Sequence, residues 1–183
     1  MTRSHRRLTK VYDRWADNYD LLYGPLLAHG RKMALDAMKI KSEMKVLEVG
    51  IGTGSSLSQY PPKANITGID ISKAMLEKAQ KKADDLKLVD ISLHEMRAEN
   101  LTFKKNNFDR VFAPSVLSVV PDPYKSFSEM IRVCKPGGLI CVLSHFAGDT
   151  WYDEFIDKIT DRWAQKYLGY RSTTPRDIVE NNS

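Results

Sequence analysis

The sequence predicts an α/β fold in which a parallel β-sheet is covered by helices on both faces. Three observations predict it. Strand-like and helix-like segments alternate along the chain. Glycines cluster directly after the first apolar strand, in "VLEVGIGTG" from Val46 to Gly54. An acid, Asp70, closes the second strand. In sheets of this kind crossovers are right-handed and ligands bind beyond the carboxyl ends of the strands.

Each element has its own signal. Leu8, Tyr12, Trp15, Ala16, Tyr19, Leu22 and Tyr23 fall on one helical stripe, with Lys10, Asp13, Arg14, Asp17 and Asn18 opposite, and Gly24-Pro25 is expected to end that helix. Lys45–Gly50 is a short strand running into the glycine turn, which is expected to lead into a helix. Asn65–Ile71 is the second strand. Ser72 is placed to cap a helix whose apolar positions are Met75, Leu76, Ala79, Ala83 and Leu86. Leu88–Glu95 alternates as a third strand, and Phe108–Ser115 is a fourth. Asp122 followed by Pro123 starts another helix, striped by Phe127, Met130, Ile131 and Cys134. "KPGG", Lys135–Gly138, closes that helix, and Leu139–Ser144 is the fifth strand. Tyr152, Phe155, Ile156, Ile159, Trp163 and Tyr167 mark a last amphipathic helix.

At 183 residues the chain is the size of one ordinary domain, and no repeat or low-complexity linker divides it. A hydrophobic content of 42% with 28% charged residues fits a soluble globular protein. No apolar run is long enough to span a bilayer, and no apolar stretch follows the basic start as a secretory leader would require. Cys134 and Cys141 sit in apolar patterns and are expected to be reduced core residues of a cytosolic protein, and no metal site is expected. The net charge of +5 is concentrated at Arg3, Arg6, Arg7, Lys10 and Arg14, with Arg31, Lys32, Lys39, Lys41 and Lys45 behind them. Such an end can face nucleic acid, an anionic membrane or water. The aromatic residues do not interleave with a basic stripe, so no nucleic-acid partner is expected.

Gly50, Gly52 and Gly54 give a turn that a ligand can touch at the backbone. A dinucleotide uses G-x-G-x-x-G, but its third glycine would fall at Ser55. Glu48 stands just before the turn. A carboxylate repels a pyrophosphate and attracts an ammonium or sulfonium, so a cationic, phosphate-free ligand is favoured. Asp70, at the end of the second strand, is placed to accept hydrogen bonds from both ribose hydroxyls of a nucleoside. The alternative for Asp70 is an acid favoured by the start of the next helix.

"LEVGIGTG", "GIDIS" and "VCKPGGLICV" together resemble the class I S-adenosylmethionine-dependent methyltransferases, whose first motif is E/D-x-G-x-G-x-G. "VYDRWADNYDLLYGPLLAHGRKMAL" (Val11–Leu35) resembles the N-terminal helix of a subgroup that includes quinone C-methyltransferases and bacterial phosphatidylethanolamine N-methyltransferases, and "SVVPDP" (Ser118–Pro123) is similar to the phospholipid enzymes. The resemblance implies a Rossmann-like three-layer α/β/α sheet with an N-terminal amphipathic helix. It implies a single domain, 1–183, with lid or membrane helices in 1–43 and a cofactor-binding core in 44–183. It implies S-adenosyl-L-methionine as cofactor, with S-adenosyl-L-homocysteine as product. Glu48, Gly50, Gly52, Gly54, Asp70, Ile71, Arg97, Ala98 and Ser115 are the cofactor-binding candidates, and Val116 borders the same pocket. The chain departs from the family at two points. Arg97 stands where an acid usually reaches the adenine amino group, and arginine accepts no hydrogen bond. Glu99 or the backbone is left to take that role. The family sheet has seven strands, whereas five are legible here, so the C-terminal strands are expected to be missing or truncated, leaving the fifth strand with an open edge.

The expected reaction is methyl transfer to an acceptor amine, that of the phosphatidylethanolamine headgroup. Tyr19 and His145 are the catalytic candidates. Each has a structural alternative, a packed aromatic for Tyr19 and a hydrogen-bonded strand end for His145. Arg31 can hold a cofactor carboxylate or a lipid phosphate, against the commoner alternative of a solvated arginine. The basic, aromatic N-terminal helix suits a bilayer interface, where each basic residue near an anionic surface adds about 1 kcal/mol. The expected partners are a phospholipid substrate and an anionic membrane surface, and the expected state is a monomer, cytoplasmic and peripheral at the inner membrane face. The alternatives are a quinone or other small-molecule methyltransferase, a nicotinamide dehydrogenase disfavoured by Glu48 and Ser55, and a non-catalytic membrane-binding module that retains the cofactor fold.

Overall fold

The computed structural model describes the backbone from residue 19 to residue 143 and side chains from residue 28. Its elements are α1 (Tyr19–Ala37), β1 (Lys45–Val49), a short 3-10 turn (Leu57–Gln59), β2 (Asn65–Asp70), α2 (Lys73–Asp85), β3 (Ile91–Glu95), β4 (Phe108–Pro114), α3 (Pro123–Val133) and β5 (Cys134–Leu143). The five strands form one sheet in the order β3-β2-β1-β4-β5, and every pairing is parallel. The order reverses direction at β1, which puts a crevice between the loops that follow β1 and β4.

Strand alternation divides the core into two layers. Leu47, Val49, Val111 and Ala113 face α3 and pack with Met130 and Val133. Val46, Ile66 and Phe112 face the other side, where Leu35 of α1, Met38 just beyond it, and Leu76 and Ala83 of α2 cover them. Glu48 falls on this second face by the same alternation and is as deeply buried as its apolar neighbours.

α2 and α3 begin as the sequence predicts. Ser72 Oγ accepts the Met75 N–H at 3.2 Å, and Asp122 Oδ1 accepts the Lys125 N–H at 2.9 Å with Pro123 in the first turn.

Four expectations about the elements are corrected. α1 does not stop at Gly24-Pro25 but continues to Ala37. Arg31, Leu35 and Met38 recur at helical spacing and are buried against the sheet, and Arg110 Nε donates to the Met38 carbonyl at 2.7 Å, so tertiary packing outweighs the local helix-breaking signal. No α-helix follows the glycine turn; only the three-residue 3-10 turn lies between β1 and β2, and Pro61-Pro62 prevents its extension. α2 ends before Leu86, which caps it and is largely exposed, and Lys87 at a φ of 54° turns the chain so that β3 starts at Ile91 rather than Leu88. Cys134 is the first residue of β5, not the last of the helix stripe. It pairs with Phe108, and the next pairing is Arg110 with Leu139, so Lys135–Gly138 bulges out of the strand instead of closing the helix. The Lys135 ammonium, 2.7 Å from Asp109 Oδ1, and Gly137 at a φ of 74° shape that bulge.

The N-terminal basic cluster, the helical stripe before Tyr19, and the expected helix from Tyr152 to Tyr167 lie outside the described residues. No helix among the described residues is long and apolar enough to cross a membrane.

Candidate active site

Two adjoining cavities open at the carboxyl end of the sheet. The larger, about 670 Å³, is bordered by Gly50, Gly52, Asp70 and Ile71 on the β1 and β2 side. Arg97, Ala98 and Glu99 close it after β3, and Ser115 and Val116 close it after β4. The smaller, about 420 Å³, lies between Arg31 of α1 and Glu48 of β1. The two share Gly50, Gly52, Pro114 and Ser115, so a ligand can pass from one to the other over the glycine turn.

Asp70 fixes that turn. Its Oδ2 accepts the Gly52 N–H and its Oδ1 accepts the Ser72 N–H, both at 2.9 Å. The carboxylate is thereby held at the cavity wall, where ribose hydroxyls can donate to it. The same contact argues against a dinucleotide. The Gly52 N–H that would meet a pyrophosphate is already given to a carboxylate, and no α-helix N-terminus follows to supply further donors. Gly52 borders both cavities, and a Cβ placed on it would meet no residue beyond its chain neighbours within 4 Å. The space in front of it is room for a ligand.

Gly50 is required for a different reason. It has a φ of +75°, and a Cβ there would lie 2.9 Å from Val116 Cγ2. Gly50→Ala is therefore expected to lose about 1–2 kcal/mol of stability from the left-handed backbone alone. Thermal denaturation without ligand should show a midpoint several degrees lower; a midpoint within about a degree of the parent would refute this account. Gly54 does not reach either cavity. An added Cβ there would press on Leu57 Cδ1 at 2.7 Å and on the Ala79 backbone at 3.2 Å, so its place in the motif seats the turn against α2.

Glu48 is completely buried. Ser56 Oγ lies 2.6 Å from its Oε1 and 2.7 Å from its Oε2, and Tyr60 Oη donates to Oε2 at 2.7 Å. Loss of solvent pushes the carboxyl up to about 7, against the opposing pull of the Ser56 and Tyr60 hydroxyls and the Arg31 guanidinium. Tyr60 stays protonated, because burial first and the Glu48 charge second raise its own pKa well above the usual value. A positively charged ligand in the smaller cavity would meet Glu48, and a carboxylate would meet Arg31.

On the opposite wall Arg97 Nε stands 3.9 Å from Glu99 Oε2, and Glu99 is buried. An acceptor is thus present two residues beyond the position where the family resemblance places one. Ser115, at a φ of 56°, turns the chain at the end of β4 and borders both cavities; such backbone costs energy and is concentrated at binding sites.

The structure therefore brings Gly50, Gly52, Asp70, Ile71, Arg97, Ala98 and Ser115 to one cavity and Glu48 to its neighbour. The side chain of Tyr19 and the whole of His145 lie outside the described residues. Sequence reasoning missed Ser56 and Tyr60, which clamp Glu48, and Val119-Val120-Pro121, which form an apolar wall of the larger cavity. That apolar run, in the loop after the fourth strand, is a legible signal; the two hydroxyls have none.

Comparison with known proteins agrees with this fold. A family model described as a methyltransferase domain matches residues 47–142. Phosphatidylethanolamine N-methyltransferase of Cereibacter sphaeroides is 36% identical over 166 residues, covering 90% of this chain and 80% of that protein. Demethylmenaquinone methyltransferase of Paenarthrobacter aurescens is 29% identical over 166 residues, covering 87% of this chain and 59% of that protein. Among solved structures, Haemonchus contortus phosphoethanolamine N-methyltransferase 2 in complex with S-adenosyl-L-methionine shares the fold with a TM-score of 0.75 at 19% identity, over 98% of this chain and 43% of that one. The chain thus belongs to the class I S-adenosyl-L-methionine-dependent methyltransferases, and S-adenosyl-L-methionine is its cofactor.

Proposed function

We propose that the protein transfers methyl groups from S-adenosyl-L-methionine to the ethanolamine amine of phosphatidylethanolamine at a membrane surface. The observation that supports this acceptor is the 36% identity to a phosphatidylethanolamine N-methyltransferase along 90% of the chain. The cofactor supplies an electrophilic methyl group on a positively charged sulfur.

In this reading Asp70 takes the ribose hydroxyls, and Glu99 offers the acceptor for the adenine amino group. Glu48 faces the cationic amino-acid end, and Arg31 holds its carboxylate with the paired N–H groups of a guanidinium. Val116, Val119 and Val120 keep water from the reacting atoms and hold the methyl in line with the incoming amine. The amine arrives protonated and must lose that proton before it attacks; Tyr19 and His145 are the candidates to receive it. The basic N-terminal segment would dock the enzyme on anionic lipid as a monomer, on the cytoplasmic side, and would deliver the headgroup to the open cavity.

The similarity to demethylmenaquinone methyltransferase favours a second reading, methylation of a quinone ring carbon. One assay separates the two. Purified protein is given methyl-labelled cofactor with either phosphatidylethanolamine vesicles or demethylmenaquinone. Label is expected in mono- and dimethylated ethanolamine lipid and is expected to vanish with Glu48→Ala. Label in the quinone alone would replace the first reading by the second. Flotation with anionic and zwitterionic vesicles tests the membrane part, and equal binding to both would reject a role for the basic N-terminal residues.

A further inference from the structure

The Glu48 carboxyl has an unusual surrounding for a group that is to meet a cation. It is enclosed on the face of the sheet covered by α1 and α2, beside Ile51, Leu57 and Tyr60. Two hydroxyls serve its two oxygens. Tyr60 donates to Oε2, and the Ser56 hydroxyl straddles both oxygens within 2.7 Å. A serine hydroxyl has one proton and so can donate to only one of them at a time. When the carboxyl is protonated, it can donate in turn to the serine oxygen. The clamp therefore accommodates both the acid and the anion without moving a heavy atom.

We propose that Ser56 and Tyr60 are positioning residues that hold the Glu48 carboxyl beside the smaller cavity in either charge state, and that the amino-acid end of the cofactor enters that cavity as one proton leaves Glu48 for solvent. The proposal rests on the cofactor placement given above. Burial favours the neutral carboxyl while the cavity holds no cation, and the incoming ammonium favours the anion. The charge change is balanced: one positive ligand centre replaces one proton beside the same carboxyl. The charged or titratable groups facing Glu48 among the described residues are Arg31 from α1 and Tyr60 after the 3-10 turn. Tyr60 stays neutral across the relevant range, because burial and the Glu48 charge hold its pKa well above the usual value, so Glu48 is the member of the clamp that changes state.

The sign follows from linkage. Below pH 7 a proton must be displaced, so affinity falls as pH falls; above it the carboxylate is already formed and affinity levels off. With a midpoint near 7, binding is expected to be about tenfold weaker at pH 6 than at pH 8.

Calorimetric titration of the full chain with S-adenosyl-L-homocysteine, in buffers of different ionisation enthalpy, reads both quantities. At pH 6.5 the wild-type protein is expected to release between about half and one proton per ligand bound. Glu48→Gln should bind weakly, with no proton release and no pH dependence between pH 5.5 and 8. Tyr60→Phe removes one donor to the anion and should raise the midpoint by about one pH unit. Its affinity deficit then narrows as pH rises, whereas a merely structural loss would give the same deficit at every pH. Ser56→Ala, a smaller change to the fold, should act in the same direction. Flat affinity with no proton release in wild-type protein overturns the proposal and leaves the cofactor assignment intact. No uptake by folded protein at any pH overturns both.

Discussion

Asp70→Ala is expected to weaken S-adenosyl-L-homocysteine binding by about 100-fold or more, measured by calorimetry at pH 8. The magnitude comes from losing hydrogen bonds to a charged acceptor, each worth about 1.5–3 kcal/mol, at a ligand that can make two of them. The effect also reaches the protein. The Gly52 and Ser72 N–H groups both donate to this carboxylate, and both would lose their acceptor. The turn that borders both cavities would then lose the contact tying it to the end of β2. Asp70→Asn is the informative companion. Its amide keeps one acceptor and presents a donor to the N–H that faces the other oxygen, so binding should fall between wild type and alanine. An affinity for Asp70→Ala within about threefold of wild type would show that the nucleoside lies elsewhere, and the placement of the cofactor over the glycine turn would fall with it.

The parts of this site that were legible in the sequence are the parts held by neighbours in the chain. Gly50 and Gly52 follow an apolar strand, and Asp70 ends the next one, so a parallel sheet brings them together whatever the rest of the fold does. The strand order itself follows from short, alternating elements. The clamp on Glu48 is a different matter. Ser56 and Tyr60 lie eight and twelve positions further on, in a segment without strand or helix period, and their hydroxyls reach Glu48 only because Pro61-Pro62 leaves the connection as turns. Arg31 is further removed still. Its burial depends on α1 running through Gly24-Pro25, which local propensity argues against and packing decides. The bulge at Lys135–Gly138 was misread for the same reason: "KPGG" is a sound helix stop, but whether Cys134 joins the strand depends on its pairing with Phe108, and that is a long-range contact. Arg97 shows the converse. Position alone made it a defect in adenine recognition, while the structure puts buried Glu99 on the same wall beside it.

Glu48 also sets an expectation for stability, in the direction opposite to its role in binding. In the unfolded chain a glutamate titrates at 4.5, and in the fold without ligand the group is pushed up to about 7. A carboxyl whose pKa is raised on folding contributes stability that is fully present below pH 4.5 and lost as pH rises through about 7. At pH 8 the difference corresponds to about 3 kcal/mol, at about 1.36 kcal/mol per pH unit, set against the fold. Glu48→Gln removes the titration while keeping shape and hydrogen-bonding atoms. Its amide can accept from Tyr60 through oxygen and donate to Ser56 through nitrogen. The variant is therefore expected to be more stable than wild type at pH 8 without ligand, by about 1–3 kcal/mol once imperfect amide bonding is allowed for, and no more stable at pH 4.5. Urea unfolding at the two pH values measures this directly. With S-adenosyl-L-homocysteine well above the wild-type dissociation constant at pH 8 the order should reverse, because wild type gains more of the ligand's stabilisation than the weakly binding variant. A variant less stable than wild type at pH 8 without ligand would mean that the buried carboxylate strengthens the fold instead of straining it. Glu48 would then be a structural anion paired with Arg31, and attraction of a cationic cofactor would have to be sought in another group.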